Sequence, residues 1–397
     1  MIDVPLTLGI EEEFLIVDRE TRELSSSVEP LLAKGKDLLG DQIKAELLKS
    51  QIEVGSNICA DANEIRAEII RLRRIVQGLA HEHNCEIIAA STHPFSHWQQ
   101  QQVMEGPRYE DMVANMQEVT RRLLICGMHV HVGFGNSPEH YELIMDIQNQ
   151  LRYFLPHLLA YSVSSPFWQG RPTGLHSYRS IVYSALPRSG IPPTFPSFAD
   201  YVHMVQVLGD VGTLKRGDRD GIKDDTISGI DSTRIWWDAR PHLKFGTLEI
   251  RVCDICTRVE DAVTLVAAIQ ALVATLIQLR ELNMSWRIYP DLLVNENKWR
   301  SARHGVNGKL VDYGKRKEVP LKNLTLELVD LMDDAAHALG TRDQIQRLKS
   351  IVAEGSSADR QLAVYQAALA DGASEQDALV SVVDHLIQET GEGWRVG

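Results

Sequence analysis

"LTLGIEEEFLIVD", residues 6–18, sets three consecutive glutamates between two apolar runs. Apolar and polar residues alternate at a period of two, and Leu, Ile, Val and Phe dominate, which predicts a β-strand over residues 6–17. On a strand Glu11 and Glu13 point to one face, about 6.7 Å apart along the backbone, and Glu12 points to the other. Two carboxylates at that spacing repel by roughly 2.5 kcal/mol at an effective dielectric of about 20. Either a cation relieves this repulsion, or the face is solvated with Glu12 turned inward or paired.

The neighbouring segments supply a sheet and its cover. Residues 51–54 predict a second short strand, and "CEIIAAST" (85–92) and "RRLLICGMHVHVGFG" (121–135) predict two more. In "DANEIRAEIIRLRRIVQGLAHEH" Asp61 is an N-cap, Glu64 follows three residues later, and Ile65, Ile69, Leu72, Ile75, Val76 and Leu79 share a face, predicting a covering helix. Ser137 and Pro138 open "SPEHYELIMDIQNQLRYFLPHLLAYSVSS", read as one long helix. From Pro166 to Gly229 the chain turns to Pro, Gly, Ser and aromatics, and the segment 213–229, with "KRGDRDGIKDD", reads as a mobile lid. "DSTRIWWDARPHLKFGTLEIRVCD" (231–254) gives two strands around a loop, and Arg258–Leu282 gives an apolar helix. Past Tyr289 the pattern is almost wholly helical. Strands spread through the first 255 residues without strict alternation with helices argue against a doubly wound sheet. The expected class is α+β: an antiparallel sheet covered by helices, in a single domain (1–397) whose C-terminal part, roughly 285–397, is helical.

Composition narrows the function classes. The chain has 397 residues, 44% hydrophobic and 24% charged, the profile of an ordinary globular protein. Lys and Arg number 41 against 54 Asp and Glu, and the net charge of −13 argues against a nucleic-acid surface, which needs a concentrated basic stripe. "MIDVPLTLGI" has neither a basic flank nor a long apolar run, and no segment has about 20 uninterrupted apolar residues, so a cytoplasmic protein without membrane contact is expected. Five cysteines (Cys59, Cys85, Cys126, Cys253, Cys256) suit reduced thiols. The CxxC of Cys253 and Cys256 cannot close a four-ligand zinc site by itself and reads as free thiols at a strand end.

Three further segments carry polar groups on strands. In "GMHVHVGF" His129 and His131 share a face, placed to bind metal or phosphate or simply lying on a partly exposed sheet. In "GTLEIRV" Glu249 and Arg251 share a face, as a cross-strand ion pair would. Glu53 is a solitary carboxylate in "SQIEVGS". If these strands present one face, oxygen donors with an imidazole suit Mg²⁺ or Mn²⁺ rather than structural zinc, and an arginine among them would hold a phosphate. The residues therefore point to a magnesium–nucleotide site. It contains neither GxxxxGK[ST] nor GxGxxG.

Taken together, "LTLGIEEEFLIVD", "LKSQIEVGSN", "GMHVHVGF", "SYRSIVYSALPRSGIPPTFPSFADYV" and "WWDARPHLKFGTLEIRVCD" resemble, in order and to about residue 285, the type 2 glutamate–cysteine ligase family, bacterial carboxylate–amine ligases of the glutamine synthetase/guanido kinase-like fold. The resemblance implies a curved antiparallel sheet and ATP-dependent joining of a glutamate-like carboxylate to an amine through an acyl phosphate. It implies that Glu11, Glu13, Glu53, His129 and Glu249 hold Mg²⁺ (or Mn²⁺), that Arg251 contacts the transferring phosphoryl group, and that His131 touches nucleotide or phosphate. Arg179 and Arg188 match segments expected to meet the substrate carboxylate, or else hold an irregular loop through carbonyls. A homo-oligomer, such as a dimer, is also implied. The chain departs from the pattern after Asp254, where Ile255 and Cys256 replace an expected proline. The competing readings are a metal-dependent hydrolase, which would leave Arg251 without a task, and a nucleotide-binding sensor.

Overall fold

In the computed structural model, which describes residues 3–215, 226–227 and 229–392, the acidic stretch is the strand β1, Leu8–Asp18. The other strands of its sheet are β2 (Ile43–Ala45), β3 (Gln51–Gly55), β4 (Cys85–Ile88), β5 (Met128–Gly133), β6 (Ala239–His242) and β7 (Thr247–Ile250). They run in the order β6-β7-β5-β1-β3-β2, and every pairing is antiparallel, as the sequence predicts. β5 flanks the first half of β1, from Leu8 to Glu12, and β4 its last residues, Leu15–Asp18. Register sets the chemistry: Glu13 lies opposite Glu53, Glu53 opposite Lys44, Glu11 opposite His129, and Glu249 opposite both His131 and Arg240.

The period of two in β1 is visible in its burial. Leu8, Ile10, Glu12 and Phe14 are buried, whereas Gly9, Glu11 and Glu13 are partly open. The buried face is covered by α1 (Ala62–His81), whose Asp61 accepts hydrogen bonds from the amides of Asn63 and Glu64, the predicted cap. The stretch 137–165 forms two helices, α2 (Pro138–Leu151) and α3 (Leu155–Ser162), instead of one. Pro156 explains the break, because a proline inside a helix lacks the amide donor and its ring meets the carbonyl four residues back.

After a short turn of helix, α4 (Arg179–Tyr183), the stretch rich in Pro, Gly, Ser and aromatics contains α5 (Phe198–Asp210). Ser197 caps α5 by accepting from the amide of Asp200, and Tyr201 and Val205 join Met145, Phe195 and Trp237 in a small second core. Most of the predicted lid, residues 216–225 and 228, lies outside the described residues. The apolar helix is α6 (Val259–Glu281). Among the described residues it is the one helix long and apolar enough to cross a membrane, yet 83% of that stretch is buried inside the protein, so it is the spine of the core.

The C-terminal part consists of α7 (Asp291–His304), a hairpin of β8 (Lys309–Asp312) and β9 (Lys317–Pro320), then α8 (Leu321–Leu339), α9 (Arg342–Glu354), α10 (Ser357–Ala370) and α11 (Glu375–Thr390). One apolar core runs from Leu8 to Ile387. All five cysteines are buried free thiols, and burial first, then Asp261, pushes Cys256 well above the ordinary thiol range.

Candidate active site

Glu11, Glu13, Glu53, His129, His131, Glu249 and Arg251 meet on the face of the sheet opposite α1. Strand alternation selects them, and register brings them side by side. They form two groups.

In the first group, carboxylate oxygens of Glu11 and Glu249 and a ring nitrogen of His131 lie within 4.8 Å of one another. Thr247 Oγ1 sits 2.9 Å from His131 Nδ1 and fixes the ring, leaving Nε2 buried without a hydrogen-bond partner among the described residues and 4.0 Å from Glu11 Oε2. Burial opposes the charge on Glu11, but the hydrogen bond to His129 and the neighbouring His131 ring and Lys44 ammonium outweigh it and hold the carboxyl well below the usual range. At Glu249 burial is likewise overcome by Arg240, 2.6 Å away, and by Arg251, so that carboxyl is also held well down.

In the second group, oxygens of Glu13, Glu46 and Glu53 lie within 4.8 Å of one another. Here burial wins. Together with the charge of Glu53 it lifts Glu13 to about 7, and with the charges of Glu11 and Glu46 it lifts Glu53 to about 8. Glu13 Oε2 accepts the amide of Gly127 at 2.6 Å. Lys44 Nζ lies 2.8 Å from Glu53 Oε1 and 3.3 Å from Glu11 Oε1, a tethered cation between the groups. His129 also bridges them: its Nδ1 is 3.2 Å from Glu11 Oε2 and its Nε2 is 3.7 Å from Glu13 Oε1. Burial, then Arg251, depresses His129 to about 4, so its ring is neutral and ligand-ready at neutral pH.

The site thus offers partly neutralised carboxylates, two imidazole nitrogens without hydrogen-bond partners among the described residues, and mostly oxygen donors. That donor set fits Mg²⁺ or Mn²⁺ and lacks the thiolates of a structural zinc site. Arg251 donates to Glu249 and, at 3.2 Å, to the Tyr183 hydroxyl, which α4 brings to the rim. Its Nε has no hydrogen-bond partner among the described residues. Beside His131, half-exposed Phe245 stacks on His242 with ring centroids 4.4 Å apart and planes 6° apart, a flat face at the edge of the first group.

Arg179 is buried with its guanidinium over Tyr183, donating to the carbonyls of Arg251 at 3.2 Å and Val252 at 3.4 Å. Arg188 makes its contacts elsewhere, donating to the Arg234 carbonyl at 3.2 Å and lying over Trp236. Both therefore hold carbonyls in the way the loop-holding alternative describes. Sequence reasoning missed Glu46, Lys44, Tyr183 and Arg240. Arg240 sits one hairpin from Glu249 in "DARPHLKFGTLEIRV", and that strand–turn–strand pattern was the available signal for it.

The model of the family described as Glutamate-cysteine ligase family 2 matches residues 7–385. A protein of Chloroflexus aggregans provisionally named glutamate–cysteine ligase 2 is 47% identical over 391 residues, 98% of this chain and 93% of the relative. A protein of Herpetosiphon aurantiacus with the same provisional name is 43% identical over 389 residues, 98% of this chain and 94% of the relative. Among solved structures, a glutamate–cysteine ligase from Francisella tularensis in complex with AMP superposes with a TM-score of 0.65 at 16% identity, covering 99% of this chain and 90% of that one. A bifunctional glutathione synthetase from Pasteurella multocida gives 0.62 at 13% identity, covering 98% of this chain and 53% of that one. At such identities these two structures speak to the fold.

Proposed function

The chain belongs to glutamate–cysteine ligase family 2, and on that premise we propose that it activates the carboxylate of glutamate, or a close analogue, with ATP and joins it to an amine such as that of cysteine. Family membership makes it an ATP-dependent carbon–nitrogen ligase. The observation that carries the finer reading is the pair of donor groups, Glu11/His131/Glu249 and Glu13/Glu46/Glu53, sharing β1 beside the partly buried Arg251. Mg²⁺ or Mn²⁺ held by these residues and His129 would neutralise charge on the phosphate oxygens during transfer.

In the first step a carboxylate oxygen of the substrate attacks the γ-phosphorus, and the bond to the bridging oxygen breaks with ADP leaving. Arg251, oriented by Glu249 and Tyr183, faces the transferring group with a fixed fork of donors. In the second step the amine nitrogen attacks the acyl carbon, inorganic phosphate leaves, and the amine loses a proton. Arg179 and Arg188 are our candidates for the substrate carboxylate. Arg179 is supported by its Nε, which has no hydrogen-bond partner among the described residues, and by its charge acting on Glu13. The Phe245 face supports a nucleotide base lying beside His131. The same reading makes residues 1–397 one catalytic unit, cytoplasmic and working as a homo-oligomer such as a dimer.

The test is ADP release with glutamate against a panel of amines. We expect ADP above background with at least one pair and a product mass equal to the two substrates less water. Silence with every pair would sink the ligase reading in favour of a sensor.

A further inference from the structure

Glu12 points away from the site and into the protein. It is 1% exposed, and Arg73 of α1, itself fully buried, grips it with two donors, Nε to Oε2 at 3.1 Å and Nη2 to Oε1 at 2.5 Å. The same guanidinium donates to the carbonyls of Cys256 at 2.8 Å and Thr257 at 2.6 Å, just past β7, and reaches the Thr390 carbonyl at 3.4 Å at the end of α11. It also lies over the Phe14 ring, on the far side of Glu13. Thr390 Oγ1 in turn accepts the Ala89 amide at 2.9 Å. A planar fork with five donors satisfies every one of these acceptors from one point, which an ammonium could not.

We propose that Arg73 is a positioning residue for the ligase reaction: by holding Glu12 from behind the sheet it fixes where Glu11 and Glu13 stand, and it ties their placement to the segment that follows the strand of Glu249 and to the last helix. Burying the two charges costs desolvation, and replacing a buried ion pair by apolar residues of similar volume is often neutral or stabilising, so the charge pair itself is weak evidence for stability. The pair is therefore poorly explained by stability. Its three structural attachments all lead to elements that carry or brace site residues. The proposal rests on the reading of Glu11 and Glu13 as metal holders.

The experiment compares wild type, Glu12→Gln, Arg73→Lys, the double variant Glu12→Met/Arg73→Met, and Glu13→Gln. Readouts are kcat per folded molecule, KM for ATP, and the Mg²⁺ concentration for half-maximal rate, with folded fraction from circular dichroism. The double variant removes both charges, so it keeps the fold where Arg73→Met alone would strand a buried carboxylate. We expect it to fold with a lowered melting temperature, because the carbonyls of Cys256, Thr257 and Thr390 lose their donor, while kcat per folded molecule falls about tenfold to a hundredfold, as for a misplacement of order 1 Å. The Mg²⁺ requirement should rise, KM for ATP should change less than kcat, and Arg73→Lys should recover only part of the loss. A double variant with wild-type kcat and Mg²⁺ dependence overturns the proposal, as does a loss confined to the folded fraction. If the double variant does not fold, Glu12→Gln is judged by the same two outcomes. If Glu13→Gln is fully active, it is the metal reading that has failed.

Discussion

At the scale of single residues the site is a problem in charge. Glu11 and Glu249 are compensated by His131, Lys44, Arg240 and Arg251, whereas Glu13 and Glu53 are lifted to about 7 and about 8 by burial and by one another. A carboxyl raised in the folded state adds stability that is fully present below its unfolded pKa and is lost as pH rises through the folded value. The metal-free protein should therefore lose melting temperature as pH rises from about 4.5 to about 8, and Mg²⁺ should restore it. Mg²⁺ affinity by calorimetry should climb over the same interval, by roughly tenfold per pH unit for each proton displaced; a flat profile would remove the second group as a metal holder. Glu13→Gln and Glu249→Gln should keep the fold and lose turnover by about a hundredfold or more, and near-normal ligation by either variant would refute its role. The strand carboxylates and histidines were legible because a period of two assigns faces. Glu46 and Lys44 were not, since a three-residue strand such as β2 has too few positions to show any period. Nor was the fate of Glu12, whose partner lies 61 positions away.

Elements meet through close contacts that depend on small residues. Gly127 precedes β5, and a Cβ there would stand 2.5 Å from Arg179 Nη2, whose guanidinium is anchored on the carbonyls of Arg251 and Val252. Its amide also holds Glu13. Gly127→Ala should therefore cost about 1–3 kcal/mol and lower kcat by moving Glu13 and Arg251 together; a thermal melt unchanged from wild type would contradict the contact. Most elements were readable from caps and periodicity, including α1 from Asp61 and the hairpin that carries Glu249. The helix α5 carried an equally clear signal in Ser197 and Asp200, but it was masked by the prolines and aromatics around it. The break before α3 follows from Pro156, a local rule that the apolar run on either side obscures.

For the whole molecule, the proposed substrate and metal would act on one linked equilibrium. ATP with Mg²⁺ should raise the melting temperature by mass action on the folded state, and ATP with a chelator should not; equal shifts would mean the nucleotide binds without metal. The α+β class was legible from strands spread through the first 255 residues and helices gathered at the end. The packing of those late helices, α8 and α9 against α6 and α11 against β4, was not, because contacts such as that of α11 with β4 join positions hundreds of residues apart. That packing has a consequence for biosynthesis. β1 is made before α11, and the Arg73 guanidinium that grips its Glu12 gains its last contact, the Thr390 carbonyl, only once α11 is made. A chain stalled or clipped between Thr257 and α11 would carry all the candidate site residues and the Arg73 grip on Glu12, but would lack the Thr390 carbonyl that Arg73 reaches and the Thr390 hydroxyl that accepts the Ala89 amide.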